Sequence, residues 1–164
     1  QQELLAAENN ELSVHPAPLH SRQVLESVAL TYSNTPLGRE RAIVIAPAGC
    51  ETVFHSDERL LGRVIGNLVK NALEASRPGA TVTLGCAAEG DEISFWCNNE
   101  GEMPRKTQLQ IFNRSFSTKE PDRGIGTYSV KLLTERYLKG RVAFTSNAGD
   151  GTTFTVTCPL DLRS

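Results

Sequence analysis

The chain has 164 residues, 39% hydrophobic and 22% charged, with seventeen Lys plus Arg against nineteen Asp plus Glu and a formal charge of −2. That length suits one domain with a short appendage, and that composition suits a cored chain rather than a disordered or fibrous one. The balanced charge gives no global positive field for a nucleic-acid backbone, and no run approaches the ~18–20 apolar residues of a membrane span, so neither nucleic acid nor membrane is an expected contact.

Residues 1–12 are polar and rich in helix formers. Pro16 and Pro18 then interrupt any helix, because proline removes a backbone donor and restricts its predecessor. This predicts a helical tail and linker over 1–18 and a single domain over 19–164. Leu19, Val24, Leu25, Val28 and Ala29 recur near helical spacing, which predicts a helix over 19–32. The runs 42–46 and 52–55 are rich in β-branched residues and read as strands, with Pro47-Ala48-Gly49 as the turn between them. Ser56 or Asp57 then caps a long helix to about Ser76, ended by Pro78-Gly79. Strands over about 80–88 and 91–99 follow, joined hairpin-fashion at Glu89-Gly90. Residues 100–123 form an irregular polar segment apart from a short helical piece at 108–112, and loops of that length are usually lids or disordered. A helix over about 126–138, ended by Gly140, and strands near 141–146 and 152–158 complete an α+β pattern, with helices on one face of a largely antiparallel sheet. Cys50, Cys86, Cys97 and Cys158 show no C-x-x-C spacing and read as reduced, buried thiols of a cytosolic protein.

On the long helix, Leu60, Leu61, Val64, Ile65, Leu68, Val69, Ala72 and Leu73 form one apolar arc, with Arg59, Arg63 and Lys70 opposite. Asn67, Asn71 and Glu74 share the border between the two faces. Asparagine is a weak helix former, so two of them a turn apart are either a surface stripe or a set of hard ligands facing a cleft, of the kind Mg²⁺ takes. On the strand 91–99, Ile93, Phe95, Cys97 and Asn99 share a face, which turns Asn99 toward the core side as a pocket-floor residue or a strand-end turn. Gly124-Ile125-Gly126 stands before the last helix, where glycines let backbone amides approach phosphate oxygens. Phe112, Arg114, Phe116, Lys119 and Arg123 lie just upstream, adding aromatic anchors and cations.

These motifs, in this order over about residues 40–160, resemble the boxes of the sensor histidine kinase catalytic domain, within the larger family of gyrase-type ATPases and Hsp90 chaperones. NLVKNALEAS is similar to the N box. The resemblance implies the Bergerat ATP-binding fold, a two-layer sandwich of helices on one face of a mixed, mostly antiparallel sheet. It implies ATP and Mg²⁺ as cofactors, with Asn71 as the magnesium ligand. Asn67 falls where ATP-hydrolysing relatives carry a glutamate base, and an amide takes no proton from water, which favours a kinase over an ATPase. CNNEGEMP resembles the G1 box with asparagine for its usual aspartate. Alignment by strand phase makes Asn99 and Gly101 the adenine-site residues, and alignment on Pro104 would nominate Asn98. The passage 111–133 resembles the F and G2 boxes, with Phe112 and Phe116 as lid anchors and Gly124 and Gly126 as phosphate-contacting glycines. Lys119 or Arg123 would be the phosphate partner, and Thr127 would cap the helix or also face a phosphate. Gly151 and Thr152 resemble the family's final strand near the nucleotide.

The implied activity is transfer of the ATP γ-phosphoryl group to a histidine on a separate dimerisation domain. His15, His20 and His55 lack the acidic surroundings of an acceptor and read as structural, so residues 1–12 read as the tail of that acceptor hairpin. The implied partners are that domain and a response regulator, within a homodimeric parent and with this part in the cytoplasm. A degenerate nucleotide-binding module and an anti-sigma-type serine kinase are the other readings.

Overall fold

A computed structural model describes residues 2–48, 51–113 and 121–163, with side chains omitted at residues 2 and 121–125. Helix α1 (Gln2–Glu8) leads into strand β1 (Ala17–His20), helix α2 (Ser21–Ser33) and a helical turn α3 (Pro36–Arg39). Strands β2 (Ala42–Ile45) and β3 (Val53–Ser56) precede the long helix α4 (Glu58–Glu74). The hairpin β4 (Thr81–Glu89) and β5 (Glu92–Asn99) follows, then the short α5 (Arg105–Gln108) and helix α6 (Pro121–Leu132). A π-helical turn (Leu133–Tyr137) continues α6, and strands β6 (Arg141–Asn147) and β7 (Gly151–Pro159) end the fold.

The main sheet runs β2-β4-β5-β7-β6, with β2 parallel to β4 and every other pair antiparallel. This is the two-layer α+β sandwich expected. Strands β2 and β3 do not pair with each other: β3 leaves the sheet and pairs antiparallel with β1, in register Ala17 to Ser56. The segment around Pro18, expected as linker, is therefore a strand. Edge pairing tolerates it because proline lacks only a donor that an edge does not need.

The whole predicted apolar arc of α4 is buried, from Leu60 to Leu73. Asp57 is the cap: its Oδ1 accepts from Leu60 N–H at 2.9 Å, while Oδ2 accepts from His15 N–H at 2.8 Å. One carboxylate thus satisfies an orphan donor of the helix and ties down the preceding segment. At the other end Arg41 donates twice to the Ser76 carbonyl, at 2.7 and 3.0 Å, placing a cation at the negative end of the dipole.

The last helix ends differently from expectation. Lys139, not Gly140, takes the left-handed conformation, with φ 59. Gly140 is required for another reason: a Cβ there would lie 2.1 Å from the Thr157 carbonyl oxygen. Cys97 and Cys158 are free and buried, as expected of small apolar residues, but Cys86 is disulfide-bonded, against the reading of four reduced thiols. Cys50 lies outside the described residues. Among the described residues, no helix is long and apolar enough to cross a membrane.

Candidate functional site

Where α4 and α6 meet the ends of β5 and β7, the helices leave a cavity of about 350 Å³. That is room for a small organic ligand, whose pockets run about 300–1,000 Å³. Its floor comes from β5, whose alternation buries Ile93, Phe95, Cys97 and Asn99 on the helix side. Asn99 lines the cavity at 7% exposure, and its Nδ2 donates to the Glu100 carbonyl at 3.0 Å. With its amide nitrogen so held, its oxygen is the group left as an acceptor. Cys97 lies beside it, and burial pushes its thiol up to about 12, so it is no nucleophile at neutral pH.

Beyond Asn99 the floor is closed by backbone contacts. Gly151 adopts φ +77, and a Cβ there would lie 2.3 Å from the Asn99 carbonyl oxygen. Thr152 Oγ1 donates to the Gly101 carbonyl at 3.0 Å and is 2.8 Å from the Ser146 hydroxyl, which itself accepts from Met103 N–H. The G1-like turn is thereby clipped onto the β6–β7 hairpin.

The helical wall is built differently. Asn71 projects from α4 into the cavity, and its buried Nδ2 has no hydrogen-bond partner among the described residues. Such an orphaned group costs about 1–3 kcal/mol and calls for an explanation. Gly126 faces it from α6 with a gap where a side chain would stand: a Cβ there would sit 3.7 Å from Asn71 Oδ1. An oxygen donor beside such a gap fits a hard cation carrying phosphates.

Asn71, Asn99, Gly101, Thr127 and Thr152 all line this one cavity, and Gly126 abuts it through Asn71. Asn67, a turn before Asn71, is half-buried and is not among the lining residues. Phe112 packs edge-on against Phe144 and Phe154, at centroid distances of 5.9 and 6.3 Å, with Lys131 Nζ 5.7 Å from its ring. That fastens one end of the lid-like segment to the β6–β7 hairpin. Phe116 and Lys119 lie outside the described residues, as does the side chain of Arg123.

The start of α6 corrects the sequence reading. The helix begins at Pro121, so Gly124 and Gly126 lie within its first two turns rather than before it. Thr127 therefore lies inside the helix rather than at its N-cap; it is buried at 4% exposure and lines the cavity. The sequence reading also missed Met103, Thr107 and Ile111 along the rim and Phe154 on the floor. Phe154 shares the strand face of Thr152 by alternation, so a signal existed; the rim comes from an irregular segment with no periodicity to read.

Residues 56–162 match the family model described as histidine kinase-, DNA gyrase B-, and HSP90-like ATPase. Sensor protein DegM of Bacillus sp. (strain B21-2) is 33% identical over 129 residues, covering 77% of this chain but 34% of that relative's length. The chain thus spans about a third of that curated relative. The catalytic domain of histidine kinase ThkA, in a nucleotide-free form, superposes with a TM-score of 0.80 at 17% identity, covering 91% of this chain and 98% of that one. A second ThkA structure, in complex with the response regulator protein TrrA, gives 0.79 at 14% identity, over 99% of this chain and 48% of that one. At these identities the superpositions establish the fold.

Proposed function

The chain belongs to the family of histidine kinase-, DNA gyrase B-, and HSP90-like ATPases, and on that premise we propose that it is the ATP-binding catalytic domain of a two-component sensor histidine kinase. It binds ATP in the cavity between α4 and α6. It presents the γ-phosphoryl group to a histidine on a separate dimerisation domain, of which residues 1–12 are the tail. The reading rests on one observation above all, the buried amide nitrogen of Asn71, which has no partner among the described residues, in the same cavity as Asn99.

In this reading the Asn99 oxygen accepts from the adenine amino group, and Gly101 and Thr152 hold the turn around the base. Asn71 would hold Mg²⁺, which when bound offsets phosphate charge. Gly124 and Gly126 leave room for phosphate oxygens near the positive end of α6, and Lys119 or Arg123 supplies the opposing charge. Phe112 and Phe116 anchor the segment that covers them. Such a site acts by positioning and charge neutralisation, with little covalent chemistry of its own. Asn67, an amide, cannot activate water, which favours transfer over hydrolysis. The partners are the acceptor-histidine domain, in a homodimeric parent, and a response regulator in the cytoplasm; ThkA's complex with TrrA supports the second.

Calorimetric titration with Mg·ADP tests the site. Asn71→Asp and Gly126→Val should each weaken binding at least about tenfold, by crowding or recharging the phosphate end. Unchanged affinity in both variants rules the site out. Transfer from labelled ATP to the hairpin domain supplied in trans then tests the activity, because phosphohistidine is lost in acid while phosphoserine survives. Asparagine in place of the usual G1 aspartate favours a second reading, a nucleotide-sensing module that binds without transfer. ADP binding with no labelling of the hairpin would establish it.

A further inference from the structure

Helix α1 has seven residues, too few to persist in water without support. Its end is a built stop. Asn10 takes the left-handed conformation with φ 61, and Glu11 N–H donates to the Ala6 carbonyl at 2.8 Å while Asn10 N–H donates to that of Ala7. The domain grips both ends. Glu3 pairs with Arg59 and Arg63 of α4. At the other end Arg136 donates to the Ala7 and Glu8 carbonyls at 3.1 and 2.7 Å, and the Tyr137 hydroxyl donates to Ala7 at 2.7 Å. The Tyr128 hydroxyl donates to the Glu8 carboxylate at 2.8 Å. Leu4 and Ala7 are buried between these contacts, at 8% and 1% exposure.

The elements that hold α1 are the two that wall the cavity and the π-helical turn that continues α6. Helix α4 carries Asn71, and Tyr128 follows directly on the cavity residue Thr127. The π-helical turn brings Arg136 and Tyr137 together at the negative end of α1, where donors and a cation satisfy orphan carbonyls. We propose that the groove formed by α4, α6 and the π-helical turn is a receptor for the end of the helix that precedes the domain, and that docking of α1 there and nucleotide binding favour each other. The proposal rests on the nucleotide reading of the cavity. Docked, α1 restrains α6 beside Thr127, so a ligand ordering that helix has less entropy left to remove. Linkage then requires nucleotide to tighten α1 by the same factor.

The experiment titrates Mg·ADP into the full chain and into Tyr128→Phe, which removes the donor hydroxyl, and Glu8→Ala, which removes its acceptor from α1. Each variant should bind about fivefold more weakly, at the lower end of coupling between sites. The double variant should be no weaker than either single one, because both break the same contact. Hydrogen exchange at the amides of residues 4–11 should slow when Mg·ADP is added to the unaltered chain, which a merely structural contact would not show. Equal or tighter binding in both variants, with exchange unmoved, overturns the coupling while leaving the nucleotide site standing. An unaltered chain that binds no nucleotide overturns both.

Discussion

The two sides of the cavity are made on opposite principles. The floor, where β5 meets β7, is closed on itself: Gly151 lies against the Asn99 carbonyl, and Thr152 and Ser146 satisfy one another and the Gly101 turn. The wall, where α4 faces α6, is left open: Asn71 has a buried nitrogen unmatched among the described residues, and Gly126 places no side chain against it. A self-satisfied polar network contributes stability, whereas an unsatisfied buried group costs stability that a ligand completing it would restore. The floor should therefore report on folding and the wall on binding.

Substitutions that separate the two quantities test that division. The largest effect belongs to Gly151→Ala, which adds a Cβ both at a positive φ and 2.3 Å from a carbonyl oxygen. We expect a loss of about 3 kcal/mol in urea denaturation; a loss below about 1 kcal/mol would mean the floor yields more easily than its contacts imply. Thr152→Val keeps the shape but strands the Gly101 carbonyl and Ser146 hydroxyl, for about 1–2 kcal/mol by the same measurement. At the wall, Asn71→Ala removes an orphaned amide and a poor helix former, so stability should hold or rise by about 0.5 kcal/mol. Its Mg·ADP affinity should nevertheless fall. Marked destabilisation by Asn71→Ala would erase the contrast, since it would make the amide part of the folded network.

How much of this was legible differs residue by residue. The arc of α4 and the phase of β5 were readable because each is a single regular element facing one apolar layer, so period alone put Asn71 on the border of the arc and turned Asn99 to the core side. The start of α6 was not: Gly124 and Gly126 read as loop residues by their local freedom, yet the helix runs through them from Pro121. Propensity is a weak guide where tertiary packing supplies most of the helix's stability. The separation of β2 from β3 was equally hidden, because two adjacent β-branched runs carry no mark of which partner each will take.

The sequence by itself determined the α+β pattern, the buried faces and the order of the boxes, since each depends on periodicity or on residues close along the chain. Only the tertiary structure decided that the end of β5, the middle of α6 and the start of β7 converge on one cavity. It alone joined α1 to both helical walls, through contacts as far apart in the chain as Glu8 and Tyr128. Such pairings depend on how elements pack across layers, and one-dimensional spacing does not encode them.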